Sequence, residues 1–201
     1  MNLSRTLEPK HRWDKYFPDS QCRPVPLGSG NTAFGIEQMV QWAKKHAWQT
    51  KKLANALKGK TLVETLKNVH RFAYKNFQYK PDSYEQHLES PACAWKKRET
   101  GMNCKGYSII ISSILQNLGV PHFFRRVSYR PGEYSHVFVV VPAGRREYIL
   151  DATLPTFNYT PRYLHHDDRP VIAGVMNGPE KQTAKTLLAV TSMFLLIKIL
   201  L

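Results

Sequence analysis

Between Tyr107 and Leu118 the residues Tyr107, Ile110, Ile111, Ile114, Leu115 and Leu118 recur at spacings of three and four, and Gly119 and Pro121 close the run. That period specifies an α-helix with a buried stripe, ended by two residues that helices do not readily continue through. Directly after Pro121 the period changes to two. His122 to Arg130, Val137 to Val141 and Glu147 to Leu150 are rich in Val and aromatics and read as three strands of an antiparallel sheet. The Arg130-Pro131-Gly132-Glu133 turn separates the first two, and Pro142-Ala143-Gly144 joins the last two.

Upstream, Ile36, Met39, Val40, Ala43 and Ala47 fall at helical spacing. Thr61 then reads as an N-cap with Glu64 three residues on, and Leu62, Leu66, Val69, Phe72, Ala73 and Phe77 form the buried stripe of a second helix. His46 and His70 lie in these helices and read as surface or satisfied core residues. Residues 1–32, with Pro9, Pro18, Pro24 and Pro26, form an irregular arm whose Trp13, Tyr16 and Phe17 are expected to pack onto the domain. The domain itself is read as 33–155, with a loop-rich passage from Gln78 to Thr100. Residues 156–180 read as a Pro/Gly-rich linker, and 181–201 as an apolar C-terminal helix.

Lys+Arg 29 against Asp+Glu 15 gives a net charge of +14, which attracts anionic partners. The basic residues are spread along the chain, and the run Lys44, Lys45, Lys51, Lys52, Lys58 and Lys60 reads as a solvated face. No nucleic-acid motif accompanies the charge, so specific nucleic-acid binding is not expected. Cys22, Cys93 and Cys104 are too few and too irregular for a disulfide framework or a zinc site, and at least one thiol stays free. That fits a reducing compartment, or a catalytic cysteine in any compartment. His165, His166, Asp167 and Asp168 are adjacent in a loop and lack metal-ligand spacing, so neither a metal nor a cofactor is expected.

Thr186 to Leu201 is almost uniformly apolar, with Lys181 and Lys185 before it and Lys198 inside. It is shorter than the roughly 20 residues of a spanning helix. It can still insert with Lys198 snorkelling, lie in the interface, or bury itself in a partner. The expectation is membrane association through this tail. Met1 to Pro18 lacks an apolar h-region, so no signal peptide is expected, and the basic domain favours the cytoplasmic side.

The chemistry centres on Gly101-Met102-Asn103-Cys104-Lys105-Gly106-Tyr107-Ser108. Cys104 opens the apolar helix, where unpaired backbone N–H groups and the positive end of the helix dipole favour the negative charge that a nucleophilic thiol must carry. His136 begins one strand and Asp151 ends its neighbour. In an antiparallel hairpin those two points lie side by side, so His136 and Asp151 can meet at one edge of the sheet. If the Cys104 helix starts at that edge, a Cys, His, Asp relay results.

These motifs, with Leu118-Gly119-Val120-Pro121 between them, Ser135-His136-Val137-Phe138 and Tyr148-Ile149-Leu150-Asp151-Ala152-Thr153 following in order, resemble the core of the transglutaminase-like superfamily. The resemblance covers about residues 60 to 155 and implies a papain-like α+β fold, with the nucleophile on a central helix packed against a small antiparallel sheet. It implies Cys104 as nucleophile, His136 as base and Asp151 as orienting acid. Asn103 stands where bacterial members often carry an acid, and Phe138 where tryptophan is usual; neither removes a catalytic group. An oxyanion hole would use the backbone N–H of Cys104 and one upstream donor, with Gln78 and Trp95 as the side-chain candidates.

The function so implied is cysteine-dependent acyl transfer on a protein, peptide or peptidoglycan-type amide through a thioester. Hydrolysis by a peptidase or amidase is favoured over crosslinking by the small size of the chain. The rival reading is a catalytically idle transglutaminase-like module that binds or supports, anchored by its tail.

Overall fold

The computed structural model describes residues 4–22, 25–28, 35–81 and 86–171. The arm makes two 3-10 turns, Lys10–Arg12 and Asp14–Tyr16, and continues into β1 (Val25–Gly28). The helical half follows: α1 (Gly35–His46), a 3-10 turn (Ala47–Thr50), α2 (Lys51–Leu57) and α3 (Leu62–Asn76). Next come β2 (Gln86–Leu88), α4 (Pro91–Lys96) and α5 (Cys104–Asn117). The sheet closes the domain with β3 (His122–Ser128), β4 (His136–Ala143), β5 (Arg146–Leu150) and β6 (His165–Val171). Its four strands run antiparallel in the order β5-β4-β3-β6, while β1 and β2 form a separate two-stranded pair.

The local signals behave as their chemistry requires. Thr61 Oγ1 accepts the Glu64 N–H at 3.1 Å, and the Glu64 carboxylate returns to the Lys60 N–H, fixing the start of α3. Leu66, Val69, Phe72, Ala73 and Phe77 form its buried stripe, though Leu62, in the first turn, stays 39% exposed. Ile36, Met39, Val40, Ala43 and Ala47 are all buried.

Helix α5 is the hub. Its apolar stripe suggests one buried face, yet Ile109, Ser112 and Ser113 are buried as well, because helices surround it on one side and β4 lies on the other. Three serines let it be buried all round. Ser108 donates to the Val137 carbonyl (3.1 Å), Ser112 meets His122 Nε2 (2.8 Å) and Ser113 donates to the Ala43 carbonyl (3.4 Å). His122, whose ring takes part in this network, is held neutral by burial, which pushes it down to about 4.

Two features differ from the sequence reading. Residues 165–171 lie in the stretch read as a linker, and they form a fourth strand along β3 instead. The four residues weighed as metal ligands sit there, and Asp168 and Asp167 neutralise Arg125 and Arg126 across the sheet, each at 2.8 Å. Glu147 closes on buried Arg125 from β5, also at 2.8 Å. Cys22 and Cys93 form a disulfide with their Cα atoms 5.2 Å apart, within bridging range. Seventy-one positions separate them, so no local spacing announces the pair, and Cys104 is the free thiol. The arm packs as expected: Trp13 meets Phe72 edge-on at 5.0 Å and Phe17 stacks on Trp95 at 4.8 Å. The apolar stretch 181–201 lies outside the described residues, and among the described residues no helix is long and apolar enough to cross a membrane.

Candidate active site

The motif around Cys104 resolves into separate physical tasks. Gly101 takes φ +94°, a left-handed conformation that glycine adopts without strain. That turn sends Met102 alongside residues 78–80, where Met102 N–H donates to the Gln78 carbonyl and Lys80 N–H donates to the Met102 carbonyl. Asn103 caps α5, its Oδ1 accepting the Gly106 N–H at 3.1 Å. Here lies the reason an amide serves where acids are frequent: the position needs an acceptor, charged or not. A Cβ on Gly106 would sit 2.9 Å from Met102 Sδ, so the second glycine lets the helix close on that turn. Cys104 is then the first residue of the helix, its N–H among those with no intrahelical acceptor.

The Ser108 bond to Val137 ties this first turn to the beginning of β4, where His136 stands. Strand pairing brings Leu150 opposite Val139, so β5 ends close to the start of β4 and Asp151 follows directly. His136 Nε2 lies 2.7 Å from Asp151 Oδ2, with the carboxylate buried. A carboxylate can only accept, so Nε2 carries the proton and Nδ1 is left to serve Cys104, with which His136 is also hydrogen-bonded. Burial works against a charged imidazole. The hydrogen bonds and charges of Asp151 and Cys104 outweigh it and push His136 up to about 10. The tertiary structure thus brings Cys104, His136 and Asp151 together.

Asp151 is itself held. Its Oδ1 accepts from Thr153 Oγ1 (2.6 Å) and from the Thr153 N–H (3.1 Å). Its backbone carbonyl accepts from His70 Nε2 at 3.2 Å, and burial lowers His70, keeping that ring neutral. Arg5 reaches the same turn from the arm, donating to the Thr153 carbonyl at 2.6 Å and to the Ala152 carbonyl at 3.3 Å. Tyr129, 36% exposed, places its ring centroid 6.2 Å from that of His136 and forms a rim.

The two side-chain oxyanion candidates are committed elsewhere. Gln78 clasps the backbone of Arg5, its Oε1 accepting from Arg5 N–H (2.9 Å) and its Nε2 donating to the Arg5 carbonyl (2.6 Å). Trp95 is buried between Phe17 and Phe72, and its indole N–H donates to Asp14 at 2.8 Å. Both bonds run to the arm, whose path no local pattern reveals. His70, read from the sequence as ordinary, supports Asp151. Thr153 carries a signal in the Asp-x-Thr spacing, since a hydroxyl two residues after a carboxylate can bond back to it; Arg5 carries none.

No curated protein and no solved structure matches the chain. A family model described as a transglutaminase-like domain matches residues 48–173, which span all three site residues and β6. That match takes in well over half of the 201 residues, and the chain belongs to the transglutaminase-like domain family.

Proposed function

We propose that the chain is a cysteine-dependent acyl transferase acting on amide bonds, with water as the favoured acceptor, that is, a peptidase or amidase. The observation that carries the reading is the placement of His136 between a buried carboxylate and a thiol at a helix start. His136 Nδ1 takes the thiol proton of Cys104 as the sulfur becomes the nucleophile. Cys104 Sγ attacks the amide carbonyl carbon, and the developing oxyanion faces the helix start. As the C–N bond breaks, His136 hands its proton to the leaving amine, producing a thioester and a free amine. Water then attacks the thioester while His136 takes its proton; release of the acid restores the thiol. An amine in place of water gives a crosslink by the same steps.

Incubation of the full chain with peptide, glutamine-plus-amine and peptidoglycan substrates tests this reading. Release of acid and amine, abolished in Cys104→Ala and His136→Ala, is the expected result. Products containing the added amine would shift the reading to crosslinking. Iodoacetamide labelling of Cys104 that is slow and indifferent to His136→Ala would leave an idle module. Membrane association through residues 186–201 is proposed on the apolar sequence alone, and cell fractionation with and without those residues checks it. The Cys22–Cys93 disulfide favours an oxidising compartment for the domain, against the cytoplasmic side that charge suggests.

A further inference from the structure

Asp151 lies just beyond β5, in a turn that no strand pairing holds. Its carboxylate is oriented by Thr153, and Thr153 is held by Arg5. The Arg5 guanidinium also donates to Tyr107 Oη at 2.7 Å and lies over the Tyr74 ring, 4.3 Å from its centroid. The donors of this one planar fork thereby tie the turn after Asp151 to α5 three residues beyond Cys104. Gln78 pins the Arg5 backbone through both its N–H and its carbonyl.

We propose that Arg5 is a positioning residue for the triad, acting through Thr153 to hold the Asp151 carboxylate on His136, so that the N-terminal arm is part of the catalytic unit. This rests on the acyl-transfer reading above. Without Arg5 the carbonyls of Ala152 and Thr153 lose their donor, the turn rotates toward other partners, and Thr153 ceases to fix Asp151. The imidazolium of His136 is then less well compensated and its hydrogen bond with Cys104 weakens. The rest of the arm does not depend on Arg5. Trp13 on Phe72, Phe17 on Trp95, the Glu8 N–H to Lys75 carbonyl bond and the Cys22–Cys93 disulfide hold it independently.

The test follows the His136 ring by NMR titration, together with iodoacetamide labelling of Cys104, in the full chain. Arg5→Ala is expected to lower the His136 midpoint by about one pH unit and to slow labelling near neutral pH about tenfold, the loss of one well-placed charged donor. Arg5→Lys falls between, and Arg12→Ala, which removes a mostly exposed arm cation paired with Glu8 and lying over Trp13, matches the unaltered chain in His136 midpoint and Cys104 labelling. An unchanged His136 midpoint in Arg5→Ala, with only a lower melting temperature, overturns the proposal. Should Arg5→Ala fail to fold, Thr153→Val carries the test: it keeps the shape and removes the hydroxyl, and an unchanged midpoint there refutes the relay. If His136 of the unaltered chain titrates at its ordinary value and Cys104 reacts no faster than a free thiol, the acyl-transfer reading fails and the proposal with it. If the unaltered chain behaves as described and the variants do not differ from it, only the role of Arg5 fails.

Discussion

Replacing Asp151 by Asn isolates the carboxylate charge, because the amide oxygen can still accept from His136 Nε2 while the negative charge is gone. The pair is tight, 2.7 Å between the bonded atoms, and the side chains are only 12% and 1% exposed. Two unit charges about 4 Å apart at an effective dielectric of about 20 interact by ~4 kcal/mol. Divided by 1.36 kcal/mol per pH unit, that is a shift of about three pH units. In the unaltered chain the imidazolium therefore persists until pH rises through about 10. Asp151→Asn should bring the midpoint down to roughly 7, since burial then works against the charge with only Cys104 left to support it. The sign also fixes the effect on stability. His136 is raised in the folded chain, so its contribution is fully present below the ordinary value of 6.5 and is lost as pH climbs through about 10. In Asp151→Asn that loss should be complete soon after neutrality. The assay is an NMR titration of the His136 ring in both chains, paired with thermal melting across the same range. A His136 midpoint that stays near 10 in Asp151→Asn, or that lies near 6.5 before any substitution, would refute the charge-coupling argument.

Other consequences follow from single contacts. Asn103→Ala removes the cap on Gly106 N–H and should lower stability by about 1 kcal/mol in denaturant titration, while Asn103→Asp should keep it. Cys22→Ser opens a disulfide that closes a long loop, and a loss of about 2–4 kcal/mol is expected by calorimetry; mass spectrometry of the alkylated, unreduced chain should find one free thiol, Cys104, before the substitution and two, Cys93 and Cys104, after it. Arg125→Ala leaves Asp168 and Glu147 facing each other across the sheet without their shared cation. It should cost about 1–3 kcal/mol of stability, since both carboxylates stay partly solvated, yet Cys104 labelling in the folded fraction should be unaffected.

The residues that matter most at the site were legible in the chain because each sits at a punctuation point of local structure. Cys104 follows a residue that can cap a helix, His136 opens an apolar strand, and Asp151 closes the next. Period and turn chemistry reveal such points without any knowledge of distant neighbours. The helix stripes of α1 and α3 and the hairpin across Gly144 were readable for the same reason. Strand β6 escaped because its alternation is carried by charge pairs and histidines, and a strand whose polar residues are satisfied by Arg125 and Arg126 looks like a loop until its partner is known.

What local signals determined, then, were helices α1, α3 and α5, strands β3 to β5 and the three candidate site residues, Cys104, His136 and Asp151, with the α+β class following from the family resemblance. Tertiary structure decided how they are held: which ring nitrogen of His136 faces which partner, that Gln78 and Trp95 serve the arm, and that Cys22 finds Cys93. It also decided that Arg5, far away in sequence, reaches the turn that carries Asp151. The reason is physical. Periodicity and capping are written in neighbours a few residues apart, whereas hydrogen bonds to buried carbonyls are satisfied by whichever donor the folded chain brings near. That donor's place in the sequence leaves no local trace.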